Sequence, residues 1–343
     1  MTKVPLSNRR KAVYGLITTA IFLALANGSV TLYERLTYGA TQTEKEGMYV
    51  RKASGRKVLK PGSQMSGNRT KISINSMGFR GPELLDEKPE NGLRVWVVGG
   101  STTFDVYAPD DSQAWPAKLQ AKLAAARPDR VIEVINAGIP GEMIAGNQED
   151  FEQHAEKVQP DILVYYHGPN DLRNIRFGGP PPPSGELEKT FALLRVARST
   201  MNQQAPRLPE DWKDFHFGSH DFNDLSGRID ELLGAARRHN VKVLMSSHAY
   251  QHTPSKMGDE ALSELGELCV LMQMYPDNVV RLYQDYNEMV RGIAERKNLP
   301  FADVQAVVPS DGKYWGDSLH FTPAGSELAA QEIAETLLAS GWL

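Results

Sequence analysis

An uncharged run from Ala12 to Tyr33 opens the hydrophobic pattern of the chain. A polar stretch follows to Asn91, and from Leu93 onward short apolar blocks alternate with segments at helical spacing. At ~1.5 Å per residue the first run is about 33 Å long as a helix, enough to cross a hydrocarbon core of about 30 Å. Lys3, Arg9, Arg10 and Lys11 precede it, and Glu34 and Arg35 end it. That charge bias predicts residues 1–11 on the cytoplasmic side, a single transmembrane anchor over 12–33, and the rest of the chain outside the cytoplasm. Ala24-Leu25-Ala26 is also an A-x-A signature of a cleaved signal sequence, and either reading exports the body. The expected location is the inner (plasma) membrane, with the main domain on its periplasmic face.

Residues 34–91 are rich in Lys, Gly and Ser and sustain neither a two-residue nor a 3.6-residue period, so they read as a stalk or wrapping segment. Over 92–343 the pattern changes. Strand candidates LRVWVVGG, RVIEVINAG, PDILVYYHG, VKVLMSS and LPFADV are separated by helical stretches. These run over Trp115 to Ala126, Ala145 to Val158, a stretch starting at Phe222, Asp259 to Met274, and Asn278 to Lys297, with a last helix from Pro323 to Ala339. Apolar strands alternating with helices predict an α/β fold whose parallel sheet is covered on both faces. The proline run 178–185 can continue neither a helix nor a central strand and reads as a stiff surface connection. It lies in an insertion, 173–220, with one predicted helix over Leu187 to Met201 and the aromatic segment DWKDFHF. A long insertion after the third strand is expected to act as a lid or substrate-selecting element.

Composition narrows the possible partners. The chain has 343 residues, 41% hydrophobic and 23% charged, as a globular protein does. Its net charge of −4, with Lys and Arg scattered, leaves no footprint for nucleic acid. One cysteine, Cys269, allows no intrachain disulfide and reads as a small apolar helix residue. His216 and His220 with Asp214 and Asp221, and His248 with His252, have spacings that metals use. They lie in polar loop contexts without an HExxH pattern, so neither a metal nor a cofactor is expected.

Four short motifs fall at the carboxyl ends of strand candidates or just before the last helix: GGSTT at 99–103, NAGIPGE at 136–142, HGPND at 167–171, and DSLH at 317–320. In doubly wound sheets those loops meet at one crevice. Ser101 follows two glycines on a strand-to-helix turn, where a hydroxyl can point up from the sheet. Alone it reads equally as a helix N-cap, and the turn lacks the Lys of a phosphate loop. His320 is the only one of eight histidines with an Asp three residues earlier, so Asp317 can hold Nδ1 and leave Nε2 to take a serine proton. Asn170 and Gly141, with Ser101 itself, offer N–H groups for the charge that develops on a tetrahedral oxygen; Gly138 is the alternative glycine. In isolation GPND also reads as an ordinary turn, and Asp171 as a structural acceptor that fixes the loop. Tyr165, Tyr166 and His167 end a buried strand and could line the crevice, with core packing the ordinary reading of the tyrosines.

In this order the motifs resemble the conserved blocks of SGNH (GDSL-like) hydrolases: Ser, Gly, Asn, then Asp with His, spread over Leu93 to Leu338. The stretch INSMGFRGPE at 74–83 is similar to a membrane-anchored bacterial branch of that family. The resemblance implies a three-layer αβα sandwich with a five-stranded parallel sheet of order 2-1-3-4-5. It also implies a catalytic triad of Ser101, His320 and Asp317, with Ser101, Gly141 and Asn170 as the oxyanion hole. Block one reads GGST rather than GDS, so Gly100 stands where the family commonly has Asp. The expected activity is that of an extracytoplasmic serine esterase on an O-acylated glycan, lipid or similar ester. An acyltransferase would use the same triad, and the alternative is a catalytically idle accessory subunit of a membrane complex.

Overall fold

The computed structural model describes residues 7–38, 46–67, 70–177, 208–209, 212–213 and 222–343. The N-terminal run is one helix, α1 (Asn8–Tyr38), with large apolar side chains such as Leu16, Phe22 and Leu25 exposed along it. It is long and apolar enough to cross a membrane, a property that anchors share with signal sequences.

Nine strands follow among the described residues. Four short ones form two antiparallel hairpins: β1 (Tyr49–Arg51) with β2 (Lys57–Leu59), and β3 (Gln64–Gly67) with β4 (Thr70–Ser73). The other five, β5 (Gly92–Gly99), β6 (Val131–Asn136), β7 (Ile162–Tyr166), β8 (Lys242–Ser246) and β9 (Phe301–Ala302), make one sheet. Its spatial order is β6-β5-β7-β8-β9 with every pair parallel, the 2-1-3-4-5 arrangement expected.

Alternation along the strands sorts the core into two layers. Trp96, Val98, Ile135, Leu163, Tyr165 and Met245 face α4 (Ile144–Val158), α6 (Phe222–Arg238), α7 (Leu262–Met272) and α8 (Pro276–Arg296). Val95, Val97, Ile132, Val164 and Leu244 face α3 (Trp115–Ala126), the short α9 (Val304–Val307) and the last helix, α10 (Pro323–Ala339). Residues 95 to 98 of β5 are all fully buried. Two covered faces explain why this strand is a continuous apolar run rather than an alternating one. Cys269 is buried on α7, and burial pushes its thiol up to about 12, away from reactivity.

The polar stretch before β5 is more ordered than its composition suggests. Met48, Leu59, Met65, Ile72 and Ile74 build a small core with Phe104, on the helical turn after β5, and Ile139, in the loop after β6. Its strands are only three or four residues long, too short to set up a period in the sequence; turns define them instead. A second departure is α5 (Pro169–Phe177): GPND, which reads as a turn, begins a helix, with Pro169 in the first turn where its missing N–H costs nothing. The proline run, the predicted helix Leu187 to Met201, most of DWKDFHF, and His216, His220, Asp214 and Asp221 lie outside the described residues.

Candidate active site

The strand β5 ends at Gly99, and Ser101 begins a single helical turn, α2 (Ser101–Phe104). The N-cap of that turn is Gly100, not Ser101, and no side chain caps it. The hydroxyl is thereby left for another partner. Both flanking glycines are required by space: a Cβ at Gly99 would lie 2.4 Å from the Tyr166 carbonyl oxygen, and one at Gly100 would lie 2.5 Å from Nδ2 of Asn170. A side chain at 100 would therefore have to displace the Asn170 amide.

Ser101 Oγ lies 2.8 Å from His320 Nε2, across 219 residues of sequence. On the other side of the ring, Nδ1 is 2.7 Å from Asp317 Oδ2. Asp317 Oδ1 also accepts the backbone N–H groups of Leu319 and His320, each at 2.8 Å, so the DSLH loop wraps its own carboxylate. Burial works to raise the Asp317 carboxyl, but the hydrogen bond and charge of His320 and those N–H groups outweigh it and hold the group below its ordinary range. An ionised acceptor on Nδ1 leaves Nε2 facing the serine, the tautomer that proton abstraction needs. The loop is closed by Gly316 N–H donating to the His320 carbonyl at 2.8 Å, and by Thr322, whose hydroxyl caps α10.

Gly141 and Asn170 converge on the same turn. Gly141 has a φ of 85°, is exposed, and has open space around it; its N–H has no acceptor among the described residues. Gly138, the alternative glycine, is placed differently. Its N–H is donated to Asn136 Oδ1 at 3.1 Å, and a Cβ there would lie 2.3 Å from the Phe104 nitrogen, so this glycine serves close packing under α2. Asn170 Nδ2 donates one hydrogen to the Glu142 carbonyl at 2.9 Å and has a second left over. Asp171 accepts the Ile144 N–H and pairs with His167 Nδ1, each at 3.1 Å, while His167 Nε2 meets Asn147 Oδ1 at 2.6 Å. Asp171 is thus the structural acceptor expected, tying α5 to the start of α4.

Several supporting residues carried no signal strong enough to read from the sequence. Arg80, in the INSMGFRGPE stretch, has a buried guanidinium that donates to the carbonyls of Phe104, Asp105, Ala108 and Asp110 and to Asp111 Oδ1. It therefore holds the chain that leaves the serine turn. Asp105, at φ 66°, accepts Trp115 N–H at 2.9 Å and Ser326 O–H at 2.6 Å, joining that turn to α10. His248 lies fully buried with Nε2 3.1 Å from Thr102 Oγ1, stacked on Tyr166, and burial pushes it down to about 3, so it stays neutral. Tyr107, half exposed, sets its ring 5.9 Å from that of His320 and forms one wall beside it. Each of these contacts joins residues distant in sequence, which no local motif marks.

Among the described residues no three His, Cys, Asp or Glu side chains gather as a metal site would require. His252 instead stacks on Tyr250.

Comparison with known proteins gives the family. The model of the GDSL-like Lipase/Acylhydrolase family matches residues 97–328. No curated protein matches the chain. Among solved structures, a GDSL-like lipase from Bacteroides thetaiotaomicron is 14% identical, with a TM-score of 0.44 over 75% of this chain and 93% of that one. TesA is 18% identical, with a TM-score of 0.45 over 73% and 99%. The acetylxylan esterase Axe2 from Geobacillus stearothermophilus is 16% identical, with a TM-score of 0.44 over 74% and 96%. The three differ from this chain by enough that they identify no substrate. The family model, in contrast, runs from inside β5 into α10 and takes in all four motif loops on well over half the chain, so this protein belongs to the GDSL-like lipase/acylhydrolase family.

Proposed function

We propose that the chain is a serine esterase held at the outer face of the plasma membrane by α1, acting on an O-acylated glycan, lipid or similar ester. The observation that carries this reading is the continuous chain from Ser101 Oγ through the His320 ring to Asp317, with both links at hydrogen-bond length. His320 Nε2 takes the Ser101 proton as Oγ bonds to the ester carbonyl carbon. The carbonyl oxygen, now negative, is met by N–H groups of Ser101, Gly141 and Asn170. The C–O bond to the alcohol then breaks, His320 returns its proton to the departing oxygen, and an acyl group remains on Ser101. Water repeats the sequence in reverse, releasing the acid; an alcohol in place of water would make the same intermediate a transferase.

The placement outside the cytoplasm rests on the basic residues ahead of α1 and the uncharged span within it. Labelling by a fluorophosphonate, together with release of acyl groups from p-nitrophenyl esters, tests the activity. Both should occur in the wild-type chain and vanish in Ser101→Ala. Folded protein that neither reacts nor turns over would overturn the esterase reading in favour of an idle accessory subunit. Membrane fractions washed at high salt and at alkaline pH test the anchor: the chain should stay bound, and a soluble extracytoplasmic chain starting at Asn27 would mean cleavage instead.

A further inference from the structure

We infer that Arg56, in the polar segment between the apolar helix and the catalytic fold, is a positioning residue of the oxyanion hole, acting through Glu142. The inference rests on the esterase reading above and extends it to a segment outside the family's motif loops.

Glu142 directly follows Gly141, and three separate contacts fix it. Its N–H donates to the Ile139 carbonyl at 2.9 Å, which closes the turn that carries Gly141. Its carbonyl accepts the amide of Asn170 at 2.9 Å, which orients the other candidate donor. Its carboxylate, on a residue only 7% exposed, lies over the first turn of α4 and accepts Arg56 Nη1 at 2.6 Å. Gly146 makes room for it there: a Cβ at 146 would lie 2.1 Å from Glu142 Oε1. One residue therefore stands between the two donors that are not on the nucleophile's own turn, and its side chain is held by an arginine from another part of the chain.

Arg56 is itself built in. It lies in the turn between β1 and β2, its guanidinium donates to the Gly146 carbonyl at 3.0 Å, and it forms a two-pronged pair with Asp150 on α4. Lys52 of the same hairpin reaches Glu149, Asp150 and Gln153 on that helix. The hairpin thus grips the first three turns of α4, and Arg56 alone extends that grip to Glu142. Without it, the Glu142 carboxylate would be left with the Met143 N–H as its remaining partner. A buried carboxylate that loses its cation seeks water, and the backbone that follows it is the one between Gly141 and the Asn170 contact.

The test compares an ester with its thionoester in the full chain. N–H donors stabilise a developing oxyanion far better than a developing thiolate, so the ratio of kcat/KM for the two substrates reads the oxyanion hole rather than the amount of folded enzyme. Active sites are counted by fluorophosphonate titration. Arg56→Met should lower kcat on the oxygen ester about tenfold with KM little changed, a fraction of the 10²–10³ that loss of a whole donor costs. Turnover of the thionoester should change much less, so the ratio falls.

Arg56→Met leaves a buried charge and can impair folding, so a second variant, Arg56→Met with Glu142→Gln, removes both charges and should show the same lowered ratio. Arg56→Lys, which keeps one contact to Glu142, should recover part of it. Loss of both activities in equal proportion, or unchanged kinetics per titrated site in the paired variant, would overturn the inference. Failure of wild-type chain to turn over any ester would instead overturn the esterase reading on which it rests.

Discussion

Asp105→Asn is the substitution whose effect should depend most on pH. Asp105 sits four residues past Ser101 in left-handed backbone, a conformation that Asn tolerates as well as Asp. Its Oδ2 accepts Trp115 N–H and Ser326 O–H, and Oδ1 has no partner among the described residues. Burial pushes the carboxyl from 3.8 up to about 6, against the pull of Ser326, Trp115, Arg80 and His320. Raising the carboxyl that far corresponds to about 3 kcal/mol.

Because the folded state has the higher value, folding disfavours the ionised form. The stability tied to the protonated carboxyl is fully present below about pH 4 and is lost as pH rises through about 6. Asn carries no such proton. It can keep both contacts to Oδ2, but it buries an N–H₂ with no acceptor at a constant cost of about 1–3 kcal/mol. The variant should therefore be less stable than wild type by that amount near pH 4 and should draw level or overtake it near pH 8. The difference between the two curves should move by about 3 kcal/mol in favour of Asn. Urea unfolding of the full chain in mild detergent at several pH values, followed by tryptophan fluorescence, measures this. A difference that is the same at every pH would refute the burial of an ionisable carboxyl at this position.

Three further outcomes concern the serine turn. Ser101→Ala and His320→Ala should each remove nearly all turnover, and the double variant should cost little more than either, because one proton transfer uses both; additive losses would deny that they act as a unit. Asn170→Ala should lower kcat by about 10²-fold with KM little changed, and an unaltered kcat in steady-state assays would reduce Asn170 to a loop residue. Gly100→Ala places a methyl 2.5 Å from Asn170 Nδ2 and should lower kcat about tenfold while fluorophosphonate still labels Ser101; full activity would show that Asn170 moves without consequence.

Most of the fold was legible in the sequence because its elements are local. The spans Trp115 to Ala126 and Pro323 to Ala339 are helices at the predicted bounds, and the buried strands read as apolar runs because helices cover both their faces. The candidate triad residues were legible for a related reason. In an open parallel sheet, loops at the carboxyl ends of the strands must converge, and Asp317 sits three residues from the histidine it serves.

What tertiary structure alone decided is which groups meet across long separations. Whether Gly138 or Gly141 is free to donate depends on Phe104 and Asn136 occupying the space and the N–H of the first. That Gly100 takes the N-cap position and leaves the Ser101 hydroxyl to His320, 219 residues away, shows only in the folded chain. The tasks of Arg56, Arg80, Asp105 and His248 were invisible because their partners lie on other elements, and a charged or polar side chain looks the same in sequence whether it faces water or holds a loop. The polar stretch ahead of β5 carried no period, yet its few apolar residues close a core against the serine turn. Hydrophobic pattern reports which face of an element is covered; only the packed chain determines what covers it.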